Sequence, residues 1–182
     1  MVLTESFRVQ LDSKPPDFSL TGVDQQTYDL KHFNGASVLV VIFMCNHCPY
    51  VKGCIDRLVQ LQRDFADRGV RFVGINSNDS TSYPEDSFDA MKDFSLEHAM
   101  NFPYLIDEKQ EIAHRYHAVC TPDVFVYDKE RKLSYHGRID NNWKDVSKVT
   151  SHDLRNALEK LTTGQKPDVL QYPSMGCSIK WK

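Results

Sequence analysis

Apolar positions along the chain follow two rhythms. Residues Ser37–Met44 (SVLVVIFM) form a continuous, β-branched-rich run bounded by Asn34-Gly35, which predicts a strand buried on both faces, as in a parallel sheet. From Pro49 to Asp67 the period lengthens. Val51, Cys54, Ile55, Leu58, Leu61 and Phe65 recur at helical spacing, with Lys52, Asp56, Arg63 and Asp67 among the positions between. Pro49 suits a first helical turn, where its missing N–H costs nothing, and Gly69 stops the helix. Val70–Asn76 predicts a second strand, followed by a polar loop to Glu85, a helix from Asp86 to about Met100 and a strand over Tyr104–Ile106. A helix over Glu108–His117, a strand over Val124–Asp128, a turn at Lys129–Lys132 and a strand over Leu133–Ile139 follow. Ser151 is placed to cap a last helix carrying Leu154, Ala157, Leu158 and Leu161, closed by Gly164.

Upstream, the stiff polar lead-in Lys14-Pro15-Pro16-Asp17 precedes Phe18–Val23 and Thr27–Leu30, which predict an N-terminal β-hairpin. This order predicts an α/β three-layer sandwich with a central mixed sheet, in one domain over residues 1–164. Residues 165–182 carry two prolines and Cys177 without convincing periodicity, and read as a C-terminal tail.

Composition narrows the function. The chain has 182 residues, 41% hydrophobic and 26% charged, with 22 Lys and Arg against 25 Asp and Glu, a formal charge of −3. That balance argues against a nucleic-acid partner. The longest apolar run, Val38–Cys45, falls far short of the roughly 20 residues that span a bilayer. The N-terminus has no cationic segment followed by an apolar one, so the expectation is a cytoplasmic protein with no membrane partner. Five cysteines, an odd number, argue against a structural disulfide framework there.

The chemistry concentrates in Phe43-Met-Cys-Asn-His-Cys-Pro-Tyr-Val-Lys-Gly-Cys54. Cys45 and Cys48 fall where a buried strand ends and an amphipathic helix begins, and the positive end of a helix favours thiolate over thiol. A Cys-x-x-Cys pair lets one thiol resolve the mixed disulfide formed by the other. Cys54 shares the apolar face with Val51 and Leu58 and reads as core. Cys120 is either filler or a neighbour of the site, and Cys177 either a bystander or a second resolving thiol on a mobile tail. His47 is placed to stabilise a thiolate or to contact substrate. Glu111, His114 and His117 have ligand spacing on one helix, yet such a row is ordinarily a solvated face, so no metal is assigned. No phosphate-binding glycine pattern and no nicotinamide or flavin fingerprint is present, so no cofactor is expected.

This segment, its preceding strand and Cys120-Thr121-Pro122 before VFVYD resemble the thioredoxin-like superfamily. More narrowly, the chain from Pro16-Asp17-Phe18 to about Gly164 is similar to the alkyl hydroperoxide reductase/thiol-specific antioxidant, or peroxiredoxin-like, group. The resemblance implies a thioredoxin-like fold and a cis Pro122 whose loop, with Thr121 and His47, faces the active cysteine and binds substrate. Laid without gaps on F-W-A-x-W-C-G-P-C, Phe43 matches the strand phenylalanine, Cys48 the attacking cysteine and Val51 the usual resolving position. Cys48 is therefore the expected nucleophile, with Cys45 or Cys177 resolving, while a gapped alignment makes Cys45 the attacker. The chain lacks the P-x-x-x-T-x-x-C loop of true peroxiredoxins and has Pro122 where many of them place arginine. The reading is a thiol–disulfide oxidoreductase with an antioxidant role, acting on a disulfide-bearing protein or a small thiol or peroxide and recharged by an external dithiol. A thiol-dependent peroxidase and a non-catalytic metal-binding or copper-delivery module are the alternatives.

Overall fold

The computed structural model describes residues 3–182. Its spine is a strand whose two faces are both buried. In β4 (Val38–Phe43), Val38, Val40 and Ile42 enter one apolar cluster and Leu39, Val41 and Phe43 the other, each almost wholly excluded from solvent. Such a strand can only sit between two layers.

Around it run β2 (Ser19–Gly22), β3 (Thr27–Asp29), β5 (Val70–Asn76), β6 (Tyr104–Ile106), β8 (Asp123–Tyr127) and β9 (Leu133–His136). They form a seven-stranded mixed sheet in the order β3-β2-β6-β5-β4-β8-β9. β4, β5 and β6 pair in parallel, and β8 lies antiparallel to β4 with Phe43 opposite Asp123. The hairpin β2–β3 joins the sheet antiparallel to β6.

One face is covered by helices α2 (Ile55–Phe65), α3 (Phe88–Glu97) and α5 (Asp153–Thr162), which contribute Leu58, Phe65, Met91, Phe94, Leu154 and Leu158. The other face is covered by α4 (Glu111–Tyr116) with Phe18 and Phe33. The expected α/β three-layer sandwich with a mixed sheet and an N-terminal hairpin is thus observed.

Three local features depart from the sequence pattern. The helix expected from Pro49 to Asp67 is broken: α1 (Pro49–Lys52) ends at Gly53, and α2 starts after Cys54. A Cβ on Gly53 would lie 2.6 Å from the Trp143 carbonyl oxygen, so close backbone approach selects glycine there. Ser151 does not cap α5; His152 occupies that position, and the Ser151 hydroxyl instead donates to Asp153 at 3.1 Å. Finally, the C-terminal segment is ordered. β10 (Met175–Ser178) joins β1 (Leu3–Glu5) and the two-residue β7 (Cys120–Thr121) in a second, three-stranded sheet of order β1-β10-β7.

Candidate active site

β4 ends at Phe43, and the chain turns through Met44–His47 into α1, whose N-cap is Cys48 and whose first residue is Pro49. Pro49 needs no N–H partner, and the Lys52 N–H closes the turn onto the Cys48 carbonyl at 3.0 Å. α1 has one turn, so the Cys48 sulfur owes its environment chiefly to its neighbours.

The first neighbour is Cys45, whose thiol hydrogen-bonds to Cys48. That bond, aided by Thr121, Cys177 and the Val51 N–H, outweighs burial and draws the Cys48 thiol down from 9.0 to about 5. Cys45 pays the converse: donation to Cys48, burial and the nearby Asp86 charge hold it well above its ordinary value. The two thiols are therefore distinguished, one poised as thiolate and one held as thiol. Both are almost completely buried.

Opposite them lies the Thr121-Pro122 peptide, which is cis. The Thr121 carbonyl accepts from the Cys48 thiol at 3.1 Å, and its hydroxyl lies 3.5 Å from Cys45 Sγ. Pro122 lines a cavity of about 210 Å³ shared with Tyr50, Cys54, Arg138, Trp143 and Met175. Tyr50 and Trp143 form its aromatic wall, their centroids 4.2 Å apart.

Cys177, expected on a mobile tail, is held in β10 directly opposite Thr121. It is buried and hydrogen-bonds to Cys48; burial first and that bond second push its thiol up to about 12. Three thiols thus converge: Cys45, Cys48 and Cys177. Cys120 and Cys54 stand apart. Burial raises both, Cys54 Sγ donates to the Tyr50 carbonyl at 2.9 Å, and Cys120 Sγ has only long contacts to the Pro122 and Ser174 carbonyls.

His47 is held by a carboxylate and an aromatic ring. Its Nδ1 bonds to Asp86 at 2.6 Å, and its ring stacks on Tyr83 at 5.5 Å with 7° between planes. Asp86 is the residue that sequence reasoning missed. It falls at the end of a polar loop, in a short 3-10 turn over Pro84–Asp86, and nothing local marks it. It is fully buried and accepts from the Asn46 N–H at 2.8 Å, the His47 N–H at 3.3 Å and Asn78 Nδ2 at 2.7 Å. Cys45 Sγ, a His47 ring nitrogen and an Asp86 oxygen lie within 4.8 Å of one another, the one such donor group among the described residues. Glu111, His114 and His117 gather no such group, and His114 stacks on Trp181 instead.

Comparison with known proteins places the family and the fold. The AhpC/TSA family model matches residues 11–136. A thiol-disulfide oxidoreductase ResA from Bacillus thuringiensis subsp. konkukian is 23% identical over 136 residues, covering 71% of this chain and 70% of its own. A crystal structure described as an uncharacterized conserved protein from Geobacillus kaustophilus superposes with a TM-score of 0.95 at 42% identity, covering 100% of this chain and 97% of that one. A secreted Mycobacterium tuberculosis disulfide oxidoreductase shares the fold at a TM-score of 0.55 and 23% identity, over 64% of this chain and 79% of that one. The fold is thioredoxin-like.

Proposed function

The chain belongs to the AhpC/TSA family, and we propose that within it this protein is a thiol–disulfide oxidoreductase with Cys48 as nucleophile. The observation that carries the reading is the asymmetry of the pair: Cys48 is drawn toward thiolate by a Cys45 that stays protonated beside it. The thiolate attacks one sulfur of a substrate disulfide, forming a mixed disulfide and releasing the first substrate thiolate. Cys45, on losing its proton, attacks Cys48 Sγ, releases the second thiolate and leaves a Cys45–Cys48 disulfide. Two electrons pass from the protein to the substrate, and an external dithiol returns them.

Cys177 stands as near to Cys48 as a resolving thiol must, so a Cys48–Cys177 disulfide is the second exit from the same intermediate. The rim of Thr121, Pro122, Tyr50 and Trp143 is where a substrate sulfur would be steered, with His47 fixing the loop that presents Cys48. A cytoplasmic setting is part of the proposal, since an odd count of five cysteines suits a reducing compartment better than a disulfide framework. Among the described residues no helix is long and apolar enough to cross a membrane.

Reduction of a model protein disulfide such as insulin, with dithiothreitol as donor, tests the reading. Wild type should accelerate it, Cys48→Ser should abolish the acceleration, and Cys45→Ser combined with Cys177→Ser should trap a mixed disulfide on Cys48. Peroxide consumption with no disulfide reduction would assign the protein to peroxidase and antioxidant chemistry instead.

A further inference from the structure

We propose that the reduced site holds one zinc-type divalent cation on Cys45 Sγ, a His47 ring nitrogen and an Asp86 carboxylate oxygen, and that closing the Cys45–Cys48 disulfide expels it. The proposal rests on the dithiol reading of the same two cysteines. Sulfur, imidazole and carboxylate converge from two separate parts of the chain, their donor atoms mutually within 4.8 Å. A tetrahedral zinc with ligands at about 2.0–2.3 Å holds its donors roughly 3.4–3.8 Å apart. The widest pair therefore closes by up to about 1 Å, while the His47–Asp86 pair, hydrogen-bonded at 2.6 Å, opens by about as much to admit the ion. Three protein ligands leave a fourth tetrahedral position for water, and Cys48, hydrogen-bonded to Cys45, stands beside the group.

The surroundings are built as an outer shell. The backbone N–H groups of Asn46 and His47 and the side chain of Asn78 orient the Asp86 carboxylate, and Tyr104 donates to Asn46 Oδ1 at 2.9 Å. Such partners fix ligand direction and are worth about 10–100-fold in metal affinity. His47 is the partly exposed member of the set and gives the ion its way in. A carboxylate beside a sulfur and an imidazole suits zinc. Binding displaces the Cys45 thiol proton and leaves the His47 proton on the ring nitrogen that does not bind, and the metal undergoes no redox change. When a substrate disulfide takes two electrons from the pair, the Cys45–Cys48 bond forms, two substrate thiolates leave and the cation loses its sulfur ligand.

The test is titration of chelator-treated, reduced protein with zinc chloride against a chromophoric chelator under anaerobic conditions. Expected are one equivalent per chain, at least a hundredfold weaker binding by the Cys45–Cys48 oxidised form, and at least a tenfold loss in both His47→Ala and Asp86→Asn. Cys177→Ser should bind as wild type does. Failure of the reduced wild type to bind one equivalent overturns the proposal. So does unchanged affinity in His47→Ala, which decides the matter if the buried Asp86→Asn variant does not fold. Disulfide reduction by the metal-free protein is measured separately. Its loss would overturn the dithiol reading, whereas its persistence without zinc binding would overturn the metal site alone.

Discussion

Five chemically identical side chains in this molecule have been given different reactivities by what touches them. Cys54 and Cys120 are surrounded by carbon and carbonyl oxygen, and burial keeps them protonated. Cys48 differs because its burial is offset by donors: two thiols, Thr121 and the Val51 N–H. Alkylation of Cys48 by iodoacetamide, followed by mass spectrometry, should therefore show a midpoint near pH 5 and a plateau above it. Removing the principal donor with Cys45→Ala should move that midpoint upward; an unchanged midpoint would mean the thiolate is held by something else. The same shift couples to folding. Between about pH 5 and 9 the unfolded chain keeps the Cys48 proton and the folded chain does not, so this group adds stability as pH rises through that window. Above it, the raised thiols of Cys45 and Cys177 take stability away again. Denaturant midpoints compared at pH 5 and 8 should show a smaller rise in Cys48→Ser than in wild type.

At the scale of elements, the sequence shows what is repeated and hides what is brought together. β4 and β5 were legible because long apolar runs bounded by turn residues leave few other solutions. The Cys45/Cys48 junction was legible because strand and helix periods meet there. β10 was not: four residues, Met-Gly-Cys-Ser, carry no pattern, and the strand exists only because β1 and β7 flank it. Asp86 was equally hidden, since its role comes from the Asn46–His47 loop forty residues away in the chain. Gly176 records how closely β10 is set against the site, for a Cβ there would lie 2.0 Å from the Thr121 carbonyl oxygen. Gly176→Ala must push the strand outward, at about 1–3 kcal/mol for an overpacked contact. The expected result is a lower melting temperature together with faster alkylation of Cys177. Cys177 remaining as protected as in wild type would show that β10 is not seated on Thr121 in solution.

For the molecule as a whole, the two ends of the chain are tied across the reactive sulfur. Cys48 is fully buried, and β10, packed against α1, is part of what covers it. A substrate disulfide can reach the thiolate either by a local opening of this C-terminal strand or from the cavity beside Pro122. The fastening beyond the strand consists of small contacts. Lys180 bonds to Asn78 and Asp79 through its backbone, Gln110 accepts from the Lys182 N–H, and Trp181 stacks on His114 at 4.2 Å. Trp181→Ala removes the aromatic pair, worth about 0.5–1.5 kcal/mol, at a position that is itself part-exposed. If opening of the strand is the route, the population of open molecules rises by about fivefold per kcal/mol of lost fastening. Alkylation of Cys48 and turnover with a bulky protein disulfide should then rise together by a similar factor. A fall in melting temperature with neither rate changed would place the route through the Tyr50–Trp143 cavity, and Trp143→Ala would become the variant that alters turnover.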